Sequence, residues 1–143
     1  MLMGEFSHSL DAKGRITLPS ELRAELSECF FITKGLDQCL FVYGEKEWEE
    51  ISQKLRKLPL SKPEARAFLR FFFAGARKVE CDKQGRFLIP ANLRTYADLK
   101  KDVVLTGVMN RAEIWDKDKW EAYNSEVKNT VTDIASELVD LGI

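Results

Sequence analysis

The feature that most constrains this chain is that it is written twice. Residues 11–23 read DAKGRITLPSELR and residues 82–94 read DKQGRFLIPANLR. Asp11/Asp82, Gly14/Gly85, Arg15/Arg86, Pro19/Pro90, Leu22/Leu93 and Arg23/Arg94 recur 71 positions apart, and Gly4/Gly75 keeps that offset. Further along the offset becomes 72, matching Gly35/Gly107, Tyr43/Trp115, Trp48/Trp120 and Glu49/Glu121. An offset of half a 143-residue chain predicts a tandem duplication. Its boundary falls within residues 74–78, giving copies at 1–76 and 77–143. A chain of this length forms one compact domain or two small units sharing a core.

Each copy has the same local grammar. A short strand leads into D-x-x-G-R. The Asp of such a turn can accept from backbone amides ahead of it, and the Gly permits positive φ. A short apolar strand follows, Ile16–Leu18 or Phe87–Ile89. Pro19 or Pro90 then precedes a short helix, and two more strands follow (30–33 and 39–43; 103–106 and 112–115). Each copy is expected to end in a helical pair. In the first copy, 45–58 places Trp48, Ile51, Leu55 and Leu58 on one face. A second helix, 60–76, opens on the capping-box pattern Ser61-x-x-Glu64. In the second copy the pair is expected at 116–129 and 130–141, with Ile134, Leu138 and Leu141 on one face.

Composition narrows the function. Hydrophobic residues make up 45% of the chain, enough for a core and against disorder. Lys and Arg number 22 against 23 Asp and Glu, which excludes a globally basic nucleic-acid or membrane binder but not a locally basic one. The longest apolar run, near Phe71–Ala76, is too short to span a bilayer, and residues 1–10 do not read as a signal peptide. A cytoplasmic protein is expected. Cys29, Cys39 and Cys81 have no C-x-x-C spacing and read as buried reduced thiols. No metal site and no cofactor are expected, since His8 is the only histidine. The chain carries no dinucleotide fingerprint, P-loop, zinc-protease motif or nucleophile elbow, so an enzyme is not expected.

Charge is uneven along the chain. Between Lys54 and Lys78 eight basic residues face the single acid Glu64. From Glu113 onward Lys117, Lys119 and Lys128 are outnumbered by Glu113, Asp116, Asp118, Glu121, Glu126, Asp133, Glu137 and Asp140. A basic and an acidic helical hairpin in one chain suit a head-to-tail subunit contact, or are simply two solvated faces. Phe68, Phe71, Phe72 and Phe73 cannot all share one helix face, so some are expected to pack elsewhere. The turns present Lys13 and Arg15, then Lys83 and Arg86. An arginine fork suits phosphate oxygens or guanine edges, and an Asp11–Arg15 ion pair would instead only stiffen the turn. Spacing does not choose between these.

Two D-x-x-G-R turns, each followed by an apolar strand and Pro, resemble the SpoVT/AbrB-like DNA-binding family over essentially the whole chain. The resemblance implies an α+β, β-rich fold: a pseudo-twofold double-split β-barrel built by both copies, with outer helical hairpins. It implies a sequence-specific transcriptional regulator, a repressor of the division and cell-wall gene cluster that includes its own operon. Such a protein would sit in the cytoplasm at the nucleoid, assemble into a homo-oligomeric ring, and bind short direct repeats of double-stranded promoter DNA. No membrane or small-molecule partner is implied. The DNA-contacting residues would be Lys13, Gly14, Arg15, Lys83 and Arg86, with Asp11, Asp82 and Gly85 ordering the turns. Gln84 stands where the first copy has Lys13, and Lys83 is displaced by one position. Two rivals remain. An antitoxin would need a disordered tail, whereas 132–141 reads as an amphipathic helix. A scaffolding ring would use the Asp–Arg pairs only structurally.

Overall fold

The computed structural model describes residues 1–138. The expected C-terminal positions Asp140 and Leu141 lie outside the described residues. The chain runs β1 (Leu2–Ser9), β2 (Arg15–Thr17), α1 (Ser20–Leu26), β3 (Cys29–Lys34), β4 (Leu40–Gly44), α2 (Glu45–Leu55) and α3 (Pro63–Ala74). The second copy follows as β5 (Arg77–Glu80), β6 (Arg86–Leu88), α4 (Ala91–Tyr96), β7 (Asp102–Met109), β8 (Ala112–Asp116) and α5 (Lys117–Glu137).

The fold is α+β. Six strands form an antiparallel sheet in the order β1-β7-β8-β4-β3-β5, and β2 and β6 form a separate two-stranded ribbon. Hydrogen bonding among the described residues does not close these strands into one barrel. The strand order reads the same from either end once the copies are exchanged. The inner strands β8 and β4 meet at the centre. Each outer strand belongs to the other copy: β1 pairs with β7 along its whole length, from Leu2↔Met109 to Ser9↔Asp102, and β5 pairs with β3 from Cys29↔Glu80 to Ile32↔Arg77. The copies are therefore interleaved, and neither has its own complete sheet.

Two apolar layers follow from strand periodicity. On one face of the sheet Phe30, Ile32, Leu40, Val42, Val103, Leu105 and Ile114 meet Ile16 and Phe87 of the ribbon and Leu22 and Leu93 of the short helices. Phe87 sits edge-on to Phe30 with ring centres 5.1 Å apart. On the other face Phe41, Tyr43 and Trp115 meet Phe72, Trp48 and Trp120. Consecutive residues of β4 thus face opposite layers, and all but its last are buried.

Several expectations need correction. Among the described residues the second copy has no helical pair; α5 is one helix of 21 residues. Pro59 and Pro63 break the first copy's helices apart, whereas 117–137 contains neither Pro nor Gly to interrupt the ladder. The capping box at Ser61 does not form. Lys62 is the N-cap, without a side-chain bond, and Pro63 takes the first turn. Glu113 and Asp116 do not belong to an acidic surface. Glu113 is buried and holds Arg111 at 2.8 Å and the Trp115 indole N–H at 3.1 Å. Asp116 is buried and caps α5 through the Lys119 amide. Among the phenylalanines, Phe72 enters the aromatic layer, Phe68 and Phe71 pack at its edge, and Phe73 stays partly exposed against Trp48. All three cysteines are free; Cys39 is buried and its burial pushes the thiol pKa up, while Cys29 and Cys81 are half-buried.

Candidate nucleic-acid interface

The two D-x-x-G-R turns have nearly superimposable bonding. In the first, Asp11 Oδ1 accepts from the Lys13 amide at 2.9 Å and the Arg15 amide at 2.8 Å, and Oδ2 accepts from Arg15 Nε at 2.8 Å. In the second, Asp82 Oδ1 accepts from the Gln84 and Arg86 amides, each at 2.9 Å, and Oδ2 accepts from Arg86 Nε at 3.0 Å. The amide bonds from Arg15 and Arg86 are the largest influence holding the two carboxyl groups below their ordinary range, although both are exposed to solvent. Gly14 and Gly85 close the turns at φ +82° and +77°, a region that other residues enter at a cost.

The aspartate therefore does both things the sequence left open: it orders the turn and it holds the arginine. It holds only the inner nitrogen. Among the described residues, Nε makes the protein hydrogen bond of each guanidinium, which leaves the outer nitrogens of Arg15 and Arg86 unspent. Their side chains are 31% and 32% exposed. No hydrogen bond or ion pair joins Asp11 to His8, which lies on β1 opposite Val103.

The ribbon aligns the two turns. Its register is Arg15↔Leu88, Ile16↔Phe87 and Thr17↔Arg86. The ladder continues through the Leu18 amide to the Gly85 carbonyl at 2.8 Å and the Ile89 amide to the Gly14 carbonyl at 3.0 Å. Because side chains alternate and direct partners share a face, Ile16 and Phe87 point inward. Arg15, Thr17, Arg86 and Leu88 share the outer face. Lys13, Lys83 and Gln84 are exposed in the flanking turns. All eight residues singled out in the sequence thus lie in this one ribbon and its turns.

Two residues of the site were missed. Arg94 of the second copy donates Nη1 to the Ile89 carbonyl at 2.9 Å and to the Lys13 carbonyl at 3.5 Å, and its guanidinium occupies the space where a side chain at Gly14 would begin. Arg23 of the first copy sits against Gly85 in the same way, with Nε buried and without a protein partner. Each turn is buttressed by the other copy's helix. The signal was present, since Arg23 and Arg94 recur in the repeat, but local spacing gave no hint that they act across it. Among the described residues no group of His, Cys, Asp and Glu could hold a metal ion, and no helix is long and apolar enough to cross a membrane.

This chain is similar throughout its length to known proteins. The family model described as "MraZ protein, putative antitoxin-like" matches it twice, at residues 1–71 and 72–141. The chain is 54% identical over 143 residues to the transcriptional regulator MraZ of Acetivibrio thermocellus and 55% identical to that of Caldicellulosiruptor saccharolyticus, covering all of both chains in each case. It is 51% identical over 141 residues to that of Desulforamulus reducens, covering 99% of each chain.

Proposed function

Because the chain belongs to the MraZ family, we propose that it is a sequence-specific DNA-binding transcriptional regulator that reads promoter DNA with the outer face of the β2–β6 ribbon. It is not an enzyme; its relatives are named as regulators of transcription. The observation that carries the reading is the pair of arginines, held through Nε by Asp11 and Asp82 and offering their outer nitrogens from one exposed face. A two-stranded ribbon fits the major groove, and an arginine with two free N–H groups matches O6 and N7 of guanine. Lys13, Lys83 and the backbone at Gly14 supply phosphate contacts, which set affinity and salt dependence rather than sequence.

The sheet and the ribbon are read together as the two parts of a double-split β-barrel, with 1–76 and 77–143 as its two copies. The targets are read as short direct repeats upstream of a division and cell-wall gene cluster that includes this gene, with repression as the outcome at the nucleoid. Few contacts per protomer favour a homo-oligomer that repeats the ribbon at fixed spacing, because linked sites raise each other's effective concentration. Two surfaces support self-association. The far half of α5 exposes Val131 and Ile134 beside Asp133 and Glu137, with Leu138 exposed just past its end. A groove on the α2–α3 hairpin offers Leu60, Leu69 and Phe73 between Arg56 and Arg70. Apolar stripe and opposite charge match, and a heterologous contact of this kind closes into a ring when its rotation allows.

The test is a gel shift with a duplex from the region upstream of the gene. Arg15→Ala is expected to abolish the salt-sensitive shift while sedimentation shows the assembly intact. Unchanged affinity in that variant rejects the ribbon as the reading face.

A further inference from the structure

The two copies put identical arginines on the ribbon but not identical neighbours. By the 71-residue offset Arg15 is equivalent to Arg86, Thr17 to Leu88 and Lys13 to Gln84. In the register, Arg15 stands directly across from Leu88, and Thr17 directly across from Arg86. Direct partners have Cβ atoms about 5 Å apart, and the two arginines lie on the diagonal at about 7–8 Å. The face is therefore a two-fold frame with two different halves. One half carries an arginine, a branched aliphatic side chain and, in the adjoining turn, an ammonium. The other carries an arginine, a threonine with its hydroxyl and methyl and, in its turn, the Gln84 amide, with the Lys83 ammonium displaced by one position.

Leu88 is the unusual member. It is 51% exposed, and it is the one large apolar side chain on a face otherwise built of hydrogen-bonding groups. It does not serve the core, because the ribbon's inward positions are filled by Ile16 and Phe87. In the major groove the one strongly apolar feature of a base pair is the thymine C5-methyl group. We propose that Leu88 is a specificity-determining residue: it contacts a thymine methyl next to the guanine read by Arg15, while Thr17 at the equivalent position beside Arg86 offers one small methyl together with a hydroxyl, a weaker apolar contact that also suits hydrogen-bonding base edges. The ribbon then prefers a site with direction, thymine being required on one side only. A polar site lets neighbouring ribbons of a head-to-tail assembly all read the same strand in the same sense.

This inference rests on the ribbon being the DNA-reading face, and the experiment separates the two. The full chain selects binders from a random duplex pool, and the enriched site is remade with uracil in place of its asymmetric thymine. Wild type is expected to enrich an asymmetric motif and to lose about fourfold in affinity on the uracil duplex, the value of one apolar carbon group removed from water. Leu88→Ser, whose thermal unfolding is checked against wild type, is expected to enrich guanine as before, to accept any base at the thymine position, and to bind thymine and uracil duplexes equally. A two-fold symmetric wild-type motif, or a Leu88→Ser variant that keeps the thymine preference, overturns the role of Leu88 alone. An Arg15→Ala variant that still enriches the wild-type motif overturns the reading face and this proposal with it.

Discussion

The ribbon and helix α5 are opposite outcomes of one duplication. At the ribbon the copies kept the same aspartate, glycine and arginine and the same bonds within 0.2 Å. Past the β-strands they parted: the first copy turns back on itself at Pro59–Pro63, while the second runs on as a single helix. The difference has a geometric cause. At the ribbon each copy is the other's wall. Arg94 backs Gly14, Arg23 backs Gly85, and a change on one side meets the other copy's backbone or guanidinium. Far from the axis, α2–α3 packs mainly on Phe31 and Tyr43 of its own copy, with Phe71 also reaching Tyr96 of the other, and α5 packs on Trp115 of its own, so the two are freer to differ.

The most severe test of this contrast compares a residue at the axis with one on the free helix. Phe87→Ala removes a ring that is 2% exposed and is expected to cost about 3–5 kcal/mol in urea unfolding. A cost near 1 kcal/mol would show that the ribbon is not part of the same core. Next in size, Gly14→Ala and Gly85→Ala force a side chain into a left-handed turn already filled by an arginine. Each is expected to cost about 1–3 kcal/mol, and the two should agree. A harmless change at one glycine and a costly one at the other would break the equivalence of the turns.

Acid should act on both turns together and late. The Asp11 and Asp82 pKa values are depressed in the folded protein, so their contribution is complete above the unfolded value, about 3.9. It is lost only as pH falls through the lower folded value. Carboxyl-carbon NMR titrations should show both groups still mostly ionised at the free-aspartate value, about 3.9, and a midpoint at or above it for either would contradict the turn bonding. Smallest is Ile134→Ser on α5. The side chain is 42% exposed, so unfolding of the dissociated chain should change by less than about 0.5 kcal/mol. The oligomeric state by sedimentation velocity should fall, and an unchanged assembly would remove α5 from the interface.

Much of the ribbon was legible in the residues. D-x-x-G-R states a turn because its Asp and Gly have local tasks, and Ile16 and Phe87 announce themselves by alternation. What stayed hidden was non-local. Periodicity tells which face of a strand is apolar but not which strand lies beside it, so the exchange of β1 and β5 between copies could not be read. Nor could the crossed arginines, whose partners are about 60 to 80 positions away. The expectation of two helical hairpins failed for a related reason. The repeat suggested symmetry where the local residues, without Pro or Gly from 117 to 137, already favoured one helix. The acidic stretch misled because a count of charges does not separate Glu113 and Asp116, which are buried and bonded, from those on the surface.

The exchange of outer strands also sets a timetable for synthesis. β1 leaves the ribosome about 100 residues ahead of its partner β7, which begins at Asp102. At about 5–20 residues per second the first strand waits roughly 5–20 s with its apolar Leu2 and its ladder groups unmatched. β5 has no such wait, because β3 is already made when it appears. Half of this molecule is thus born complete against its neighbour, and the other half is born early.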